Sequence, residues 1–300
     1  MSELPTTLGS DDFPALYKAL GARSDRAQKN VLLAVKVSLV GAMLAAAFGL
    51  FKVEGDGVDF AALAASVGFA LSLVATAWLL WRRPERAWYD ARAGAESVKT
   101  LAWQFAVGGG EFPLDANDKD VRARLIARLR EVLTDLGSLG TVEAAGQDQL
   151  PPRLLALRAS SLHVRQGAYR SGRIEDQRSW YATKADWNSR RRVAWAVVTV
   201  LIQVLGLAAG LGRAFFGLDV DFLGLAAALV AAVTAWTRTK DYAELAEAYA
   251  VTAQEIGLLA AEEVDPKDES RWAAFVEDAE RAFSREHTLW RARRTQRPIG

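Results

Sequence analysis

The side chains of this 300-residue chain that could do chemistry are few, and their spacing does not suit catalysis. There is no cysteine, which excludes disulfides, thiol nucleophiles, thiolate-bound zinc and cysteine-held iron–sulfur clusters. The two histidines, His163 and His287, stand far apart and in no metal-ligand spacing. No phosphate-binding P-loop, dinucleotide-binding glycine fingerprint or serine nucleophile elbow is present. The run Gly108, Gly109 and Gly110 follows a helical stretch instead of opening one, which fits a loop hinge better than a phosphate cradle. Glu262 and Glu263 are adjacent and so splay about 100° apart on a helix, as at a solvated helix end and not as an acid–base pair. No enzyme activity, metal or cofactor is expected.

Four residues in apolar surroundings mean more. Gln203 lies midway along an apolar run, where an amide needs a partner or water. It could line a pore, contact another subunit or form a local interhelical hydrogen bond. Gly206 and Gly210 form a GxxxG spacing that lets two helix backbones approach, whether between chains or within one hairpin. Lys36 interrupts another apolar run about a turn and a half from its end. Its stem can carry the ammonium to lipid headgroups, or its charge can line a pore. A polar stretch is equally distinctive: Tyr169, Arg173, Asp176, Gln177, Trp180, Tyr181, Lys184 and Asn188 recur mostly every three or four residues. They share one aromatic, hydrogen-bonding helix face suited to packing against its own chain, a second copy or another protein.

The elements that must position these residues are helices. Residues 60–81 contain no charge and make a helix of about 33 Å, enough to cross a hydrocarbon core of about 30 Å. Residues 31–51, joined to them by a short acidic and glycine-bearing link, complete an antiparallel hairpin. A second hairpin follows at 193–211 and 222–236, and its sequence repeats the first. VDFAALAA at 58–65 and VDFLGLAA at 220–227 agree at six of eight positions, and Thr-Ala-Trp recurs at 76–78 and 234–236. The fourth span is one turn shorter, about 22 Å. It must thin the membrane, start before Asp221 or pack against protein.

Lysine and arginine distribution sets the expected orientation. Each hairpin tip carries one, Lys52 or Arg213. The opposite ends carry Lys29, Arg82, Arg83 and Arg86, then Arg190, Arg191, Arg192, Arg238 and Lys240. The tips should therefore face outward, with both termini and the polar region 82–192 cytoplasmic. The first thirty residues mix acids and bases and do not read as a cleavable secretory signal. In the polar regions, residues 84–107 predict an amphipathic helix, and Asp115 or Asn117 caps one that reaches about Leu136 and ends near Gly137 and Gly140. From Arg153 the pattern runs into the third span as a stalk of about 60 Å, unless Gly167 or Gly172 bends it. After the last span a helix runs from Lys240 to Glu263, Pro266 breaks it, and a final helix starts at Asp268 or Ser270. A formal net charge of +1, from 37 bases and 36 acids, offers nothing to nucleic acid.

Three stretches carry a resemblance: YRSGRIEDQRSWYATKADWN at 169–188, LPPRLLALRASS at 150–161, and FVEDAERAFSREHTLWRARR at 275–294. They resemble the C-terminal half of tandem SLATT proteins, bacterial two-transmembrane effector domains associated with SMODS nucleotidyltransferases and SLOG nucleotide-sensing proteins. DFPALY at 12–17, residues 24–28 and WYDARAGAESVKTLAW at 88–103 are similar to the partner SLATT type. The resemblance implies a pore-forming or membrane-perturbing effector in bacterial conflict systems, switched by a nucleotide-linked sensor protein, and it supplies no catalytic residues.

The expectation is thus an all-α membrane protein of the bacterial inner membrane. Its four transmembrane helices form two duplicated hairpins with a cytoplasmic helical bundle, and its N-terminal unit covers 1–140 and its C-terminal unit 141–300. Four spans do not enclose a wide pore, so a homo-oligomer in the lipid bilayer is expected. The other function in view is a non-conducting membrane scaffold or sensor subunit that recruits a soluble partner.

Overall fold

The computed structural model describes residues 8–136, 148–217, 220–261 and 268–295, with side chains to residue 283. Gly137, Gly140, Glu262, Glu263, Pro266 and the His287 side chain lie outside the described residues. The described architecture is helical: α1 (Ala15–Phe48), α2 (Phe60–Arg82), α3 (Pro84–Val107), α4 (Asp118–Asp135), α5 (Pro152–Arg158), α6 (Leu162–Tyr169), α7 (Asp176–Phe216), α8 (Phe222–Lys240), α9 (Tyr242–Ala261) and α10 (Glu269–Thr295). Parts of α1, α2, α7 and α8 are long and apolar enough to cross a membrane.

Packing divides the chain into two compact units that do not follow the sequence halves. A polar unit takes residues 1–28, 85–183 and 250–300, and a hairpin unit takes 29–84 and 184–249. The four apolar spans all belong to the hairpin unit. Tandem duplication orders the chain, but apolar surface sorts with apolar surface whichever copy supplies it.

The repeated VDF sequence has a structural cause. Asp59 is the N-cap of α2 and accepts from the amides of Ala61 and Ala62, while Asp221 caps α8 by accepting from Gly224 at 3.1 Å. The exits are repeated too. Arg83 after α2 and Asp241 after α8 both adopt left-handed backbone, φ 43° and 56°, and their amides close onto Leu79 and Thr237. A non-glycine residue in that conformation carries a cost, so both helices end with the same local strain. The first tip adds a small feature to the expected link, carried by its Asp-Gly pair. Residues β1 (Glu54–Gly55) and β2 (Val58–Asp59) pair antiparallel about Asp56 and Gly57, which both have positive φ as a tight Asp-Gly hairpin turn requires.

Two expectations need correction. The stalk from Arg153 is not continuous: α5 stops at Arg158, Ser160 donates back to Leu157 O at 2.6 Å, and Ser161 is extended. Between α6 and α7 the chain then widens into a π-helical turn, Arg170–Glu175, which contains Gly172 and Arg173. Second, the fourth span does not gain length before Asp221, because that residue is the cap. The helix α8 continues past Trp236 to 19 residues, about 28 Å, but its last turn carries Arg238 and Lys240, so the apolar part remains 222–236. Apart from Ala232 its residues are exposed or half-buried, so it is not shielded inside its own chain.

Candidate functional site

The polar unit is centred on an ion pair. Arg173 and Glu280 expose 2% and 0% of their surface. The guanidinium grips the carboxylate with two bonds, Nε to Oε1 at 2.9 Å and Nη2 to Oε2 at 2.7 Å. Tyr169 donates its hydroxyl to Oε1 at 3.0 Å and Thr100 donates to Oε2 at 2.8 Å, so both carboxylate oxygens accept two bonds. Arg173 also lies over the Phe283 ring, 4.9 Å from its centroid. Its Nη1 finds no hydrogen-bond partner among the described residues.

The π-turn positions this site. It presents Arg173 toward α10, one turn beyond Tyr169 on α6. Aromatic rings close the surroundings: Tyr169 meets Trp103 and Trp272 edge-on at 5.8 and 5.7 Å. In such a dry setting burial opposes the charge on Arg173, but Glu280 overcomes this and raises its pKa above the ordinary arginine value. Burial and the Glu280 charge push the Tyr169 hydroxyl well up. Burial, with repulsion from Arg173, lowers Lys99, whose ammonium reaches Gln177 Oε1 at 3.4 Å.

Lys99 gives a pH test with a defined sign. Its folded pKa is below the ordinary 10.5, so between the two values the unfolded chain holds a proton that the folded one lacks. Stability from this group therefore rises with pH in that window. Lys99→Met should leave neutral-pH stability unchanged or raise it by about 1 kcal/mol. Its lead over the wild type should shrink as pH climbs toward 10.5 in denaturant titrations.

Two further buried arginines hold the C-terminal end of α3 by binding its otherwise unpaired carbonyls. Arg158 donates to Phe105 O, Phe112 O and Pro113 O at 2.7–3.0 Å, and burial lowers its pKa to about 10. Arg165 donates to Val107 O at 2.7 Å, which also accepts from Trp272 Nε1. The glycines that follow serve close packing and are not a free hinge: a side chain on Gly109 would strike Val276, and Gly110 donates to Ala273 O.

The eight residues of the aromatic face divide. Tyr169, Arg173, Gln177, Tyr181 and Asn188 are buried, whereas Asp176, Trp180 and Lys184 are exposed. Tyr169 and Arg173 meet their own chain on α3 and α10. Asn188 donates to Lys184 O one turn back at 2.7 Å. A cleft of about 510 Å³ in the same unit is lined by Thr100, Gln104, Glu111, Arg128, Glu280 and Arg281 among others. Its arginines already bind carboxylates, Arg128 to Glu111 at 2.7 Å and Glu131 at 2.6 Å, and Arg281 to Glu277 at 2.5 Å. No group of histidine and acidic side chains suited to a metal ion occurs among the described residues.

In the hairpin unit, Gly206 and Gly210 face α8. A Cβ on the first would lie 2.6 Å from Ala226 Cβ, and one on the second 3.3 Å from Leu223 Cδ2. A closer approach in the first hairpin joins Gly41 and Gly68, where an added Cβ would stand 2.5 or 2.8 Å from the opposing carbonyl oxygen. Ser38 beside it bonds Ser72 at 3.2 Å and Thr76 at 2.9 Å. Gln203 is exposed and has no hydrogen-bond partner among the described residues. Lys36 stands over the Trp236 ring at 5.8 Å.

Sequence reasoning missed Glu280, Thr100, Arg158 and Arg165. Glu280 had a signal: Phe275, Val276, Ala279 and Phe283 form the apolar stripe of α10, and an acid on that stripe needs a buried partner. No curated protein and no solved structure matches the chain. Two family models do, the SMODS and SLOG-associating 2TM effector domain 3 over residues 14–166 and domain 1 over residues 169–290. Their junction falls within the last turn of α6, so Thr100 and Trp103 come from the first domain while Tyr169, Arg173 and Glu280 come from the second. With its four membrane-length apolar helices and a polar centre built jointly by the two halves, the chain belongs to the family of SMODS and SLOG-associating two-transmembrane effector domains, as a tandem of two of them.

Proposed function

We propose that the chain is the membrane effector of a bacterial conflict system and acts as a homo-oligomeric pore in the inner membrane. In this reading both termini and the polar unit are cytoplasmic, and a signal passed by a nucleotide-linked sensor protein rearranges the spans. No catalysis is involved. The observation that carries it is Gln203, an exposed amide midway along a span with no partner in its own chain among the described residues. In hydrocarbon such a group is costly, and another subunit or a water-filled path satisfies it. The base count supports the orientation: each tip carries one base, Lys52 or Arg213, against Lys29, Arg82, Arg83 and Arg86 and then Arg190, Arg191, Arg192, Arg238 and Lys240 at the opposite ends.

Gln203→Leu tests the reading. An interhelical amide bond in lipid contributes roughly 1–2 kcal/mol per contact, so the variant should associate about tenfold less and release a vesicle-trapped dye correspondingly more slowly. Unchanged subunit number and flux would remove Gln203 from the mechanism. Vesicles that stay tight under every stimulus, with a soluble protein bound at Trp180, would favour the recruiting scaffold instead.

A further inference from the structure

Two lysines from different hairpins meet at one tryptophan in the hairpin unit. Lys36 Nζ, from α1, lies 5.8 Å from the Trp236 ring centroid, and Lys240 Nζ, one turn beyond Trp236 on α8, lies 5.5 Å from it. Lys36 is exposed and Lys240 half-buried. Neither ammonium has a carboxylate partner among the described residues, whereas Arg190 pairs with Asp186, Arg192 with Glu247 and Arg213 with Asp221. The ring satisfies each cation on one side only, and the two charges are close enough to repel.

We propose that Lys36, Trp236 and Lys240 form a binding site for the phosphodiester of an anionic lipid headgroup. A tryptophan at the end of a span marks the depth of the headgroups, where its ring is apolar on one side and wet on the other. The lysines that flank it therefore sit at phosphate level, and the long stem of Lys36 brings its charge out from a position inside the apolar run. A phosphate bridging the pair neutralises the repulsion and ties α1 of the first hairpin to α8 of the second. The site needs only that the hairpins lie in a bilayer and does not depend on conduction.

Native mass spectrometry of the detergent-purified full chain, with phosphatidylglycerol and phosphatidylcholine added at equal concentration, tests the proposal. The wild type should retain phosphatidylglycerol preferentially, and Lys36→Gln/Lys240→Gln should weaken retention roughly tenfold to thirtyfold, the effect of two such charges at an anionic surface. Lys36→Arg/Lys240→Arg should keep it, which separates loss of charge from loss of fold. Equal retention by the glutamine variant, or equal retention of the two lipids by the wild type, overturns the site. Displacement of the bound lipid by millimolar inorganic phosphate overturns the lipid assignment in favour of a soluble anion. A chain that binds phosphatidylglycerol this way yet never conducts would leave the site intact and reject only the pore.

Discussion

Glu280→Gln should destabilise the polar unit by about 3–5 kcal/mol, because Arg173 would keep its charge in a dry site without a counter-ion. Arg173 is 2% exposed, so it cannot turn to water, and a guanidinium holds its proton at neutral pH even where burial opposes the charge. Tyr169 and Thr100 would each lose a charged acceptor in the same step. The double replacement Arg173→Met/Glu280→Leu should recover most of the loss, since removing both charges also removes the cost of dehydrating them. Denaturant unfolding of the single and double variants measures this as a cycle. A loss below about 1 kcal/mol for Glu280→Gln would mean that the pair is not the centre of the unit.

The second large effect is expected at Gly68. A side chain there must displace the backbone of α1, since its Cβ would meet Gly41 O at 2.8 Å and Ala45 N at 3.1 Å. Backbone cannot rotate out of the way as a side chain can, so Gly68→Leu should separate the helices, break the Ser38 bonds to Ser72 and Thr76, and cost about 1–3 kcal/mol or more. Gly210→Ala is the contrast. Its Cβ meets only the Leu223 side chain, at 3.3 Å from Cδ2, which can turn aside, and should be tolerated within about 1 kcal/mol. Melting of the purified variants in detergent, followed by helix signal, distinguishes the two. Equal melting temperatures would show that the close contact of the first hairpin does not hold it together.

The contrast between these glycines shows what was legible. Gly206 and Gly210 stand out as GxxxG, and they do face a neighbouring helix, α8 of the same hairpin. The tighter pair, Gly41 and Gly68, has no such signature, because the two glycines lie on different helices and their meeting depends on register. A weaker signal was present in Gly68, Ser72 and Thr76, small residues four apart on one face of α2. Likewise the spacing of Tyr169, Arg173, Gln177 and Tyr181 marked a face that the structure buries, but nothing local named Glu280, 107 residues from Arg173, as the partner.

What the sequence by itself determined are properties written into contiguous residues. Absence of charge over the length of a bilayer specifies the spans, repetition of VDF and Thr-Ala-Trp specifies two hairpins, and family motifs in both halves specify a tandem. These follow from hydropathy, helical rise and capping chemistry, none of which needs a distant residue. Only the tertiary structure decided that the two halves share one polar centre, that the helix leading into the third span widens at Arg173 to reach Glu280, and that Lys36 meets Trp236. A buried charge is stable only where a counter-ion, donors and dry packing coincide in space, and that coincidence depends on how helices remote in sequence come together.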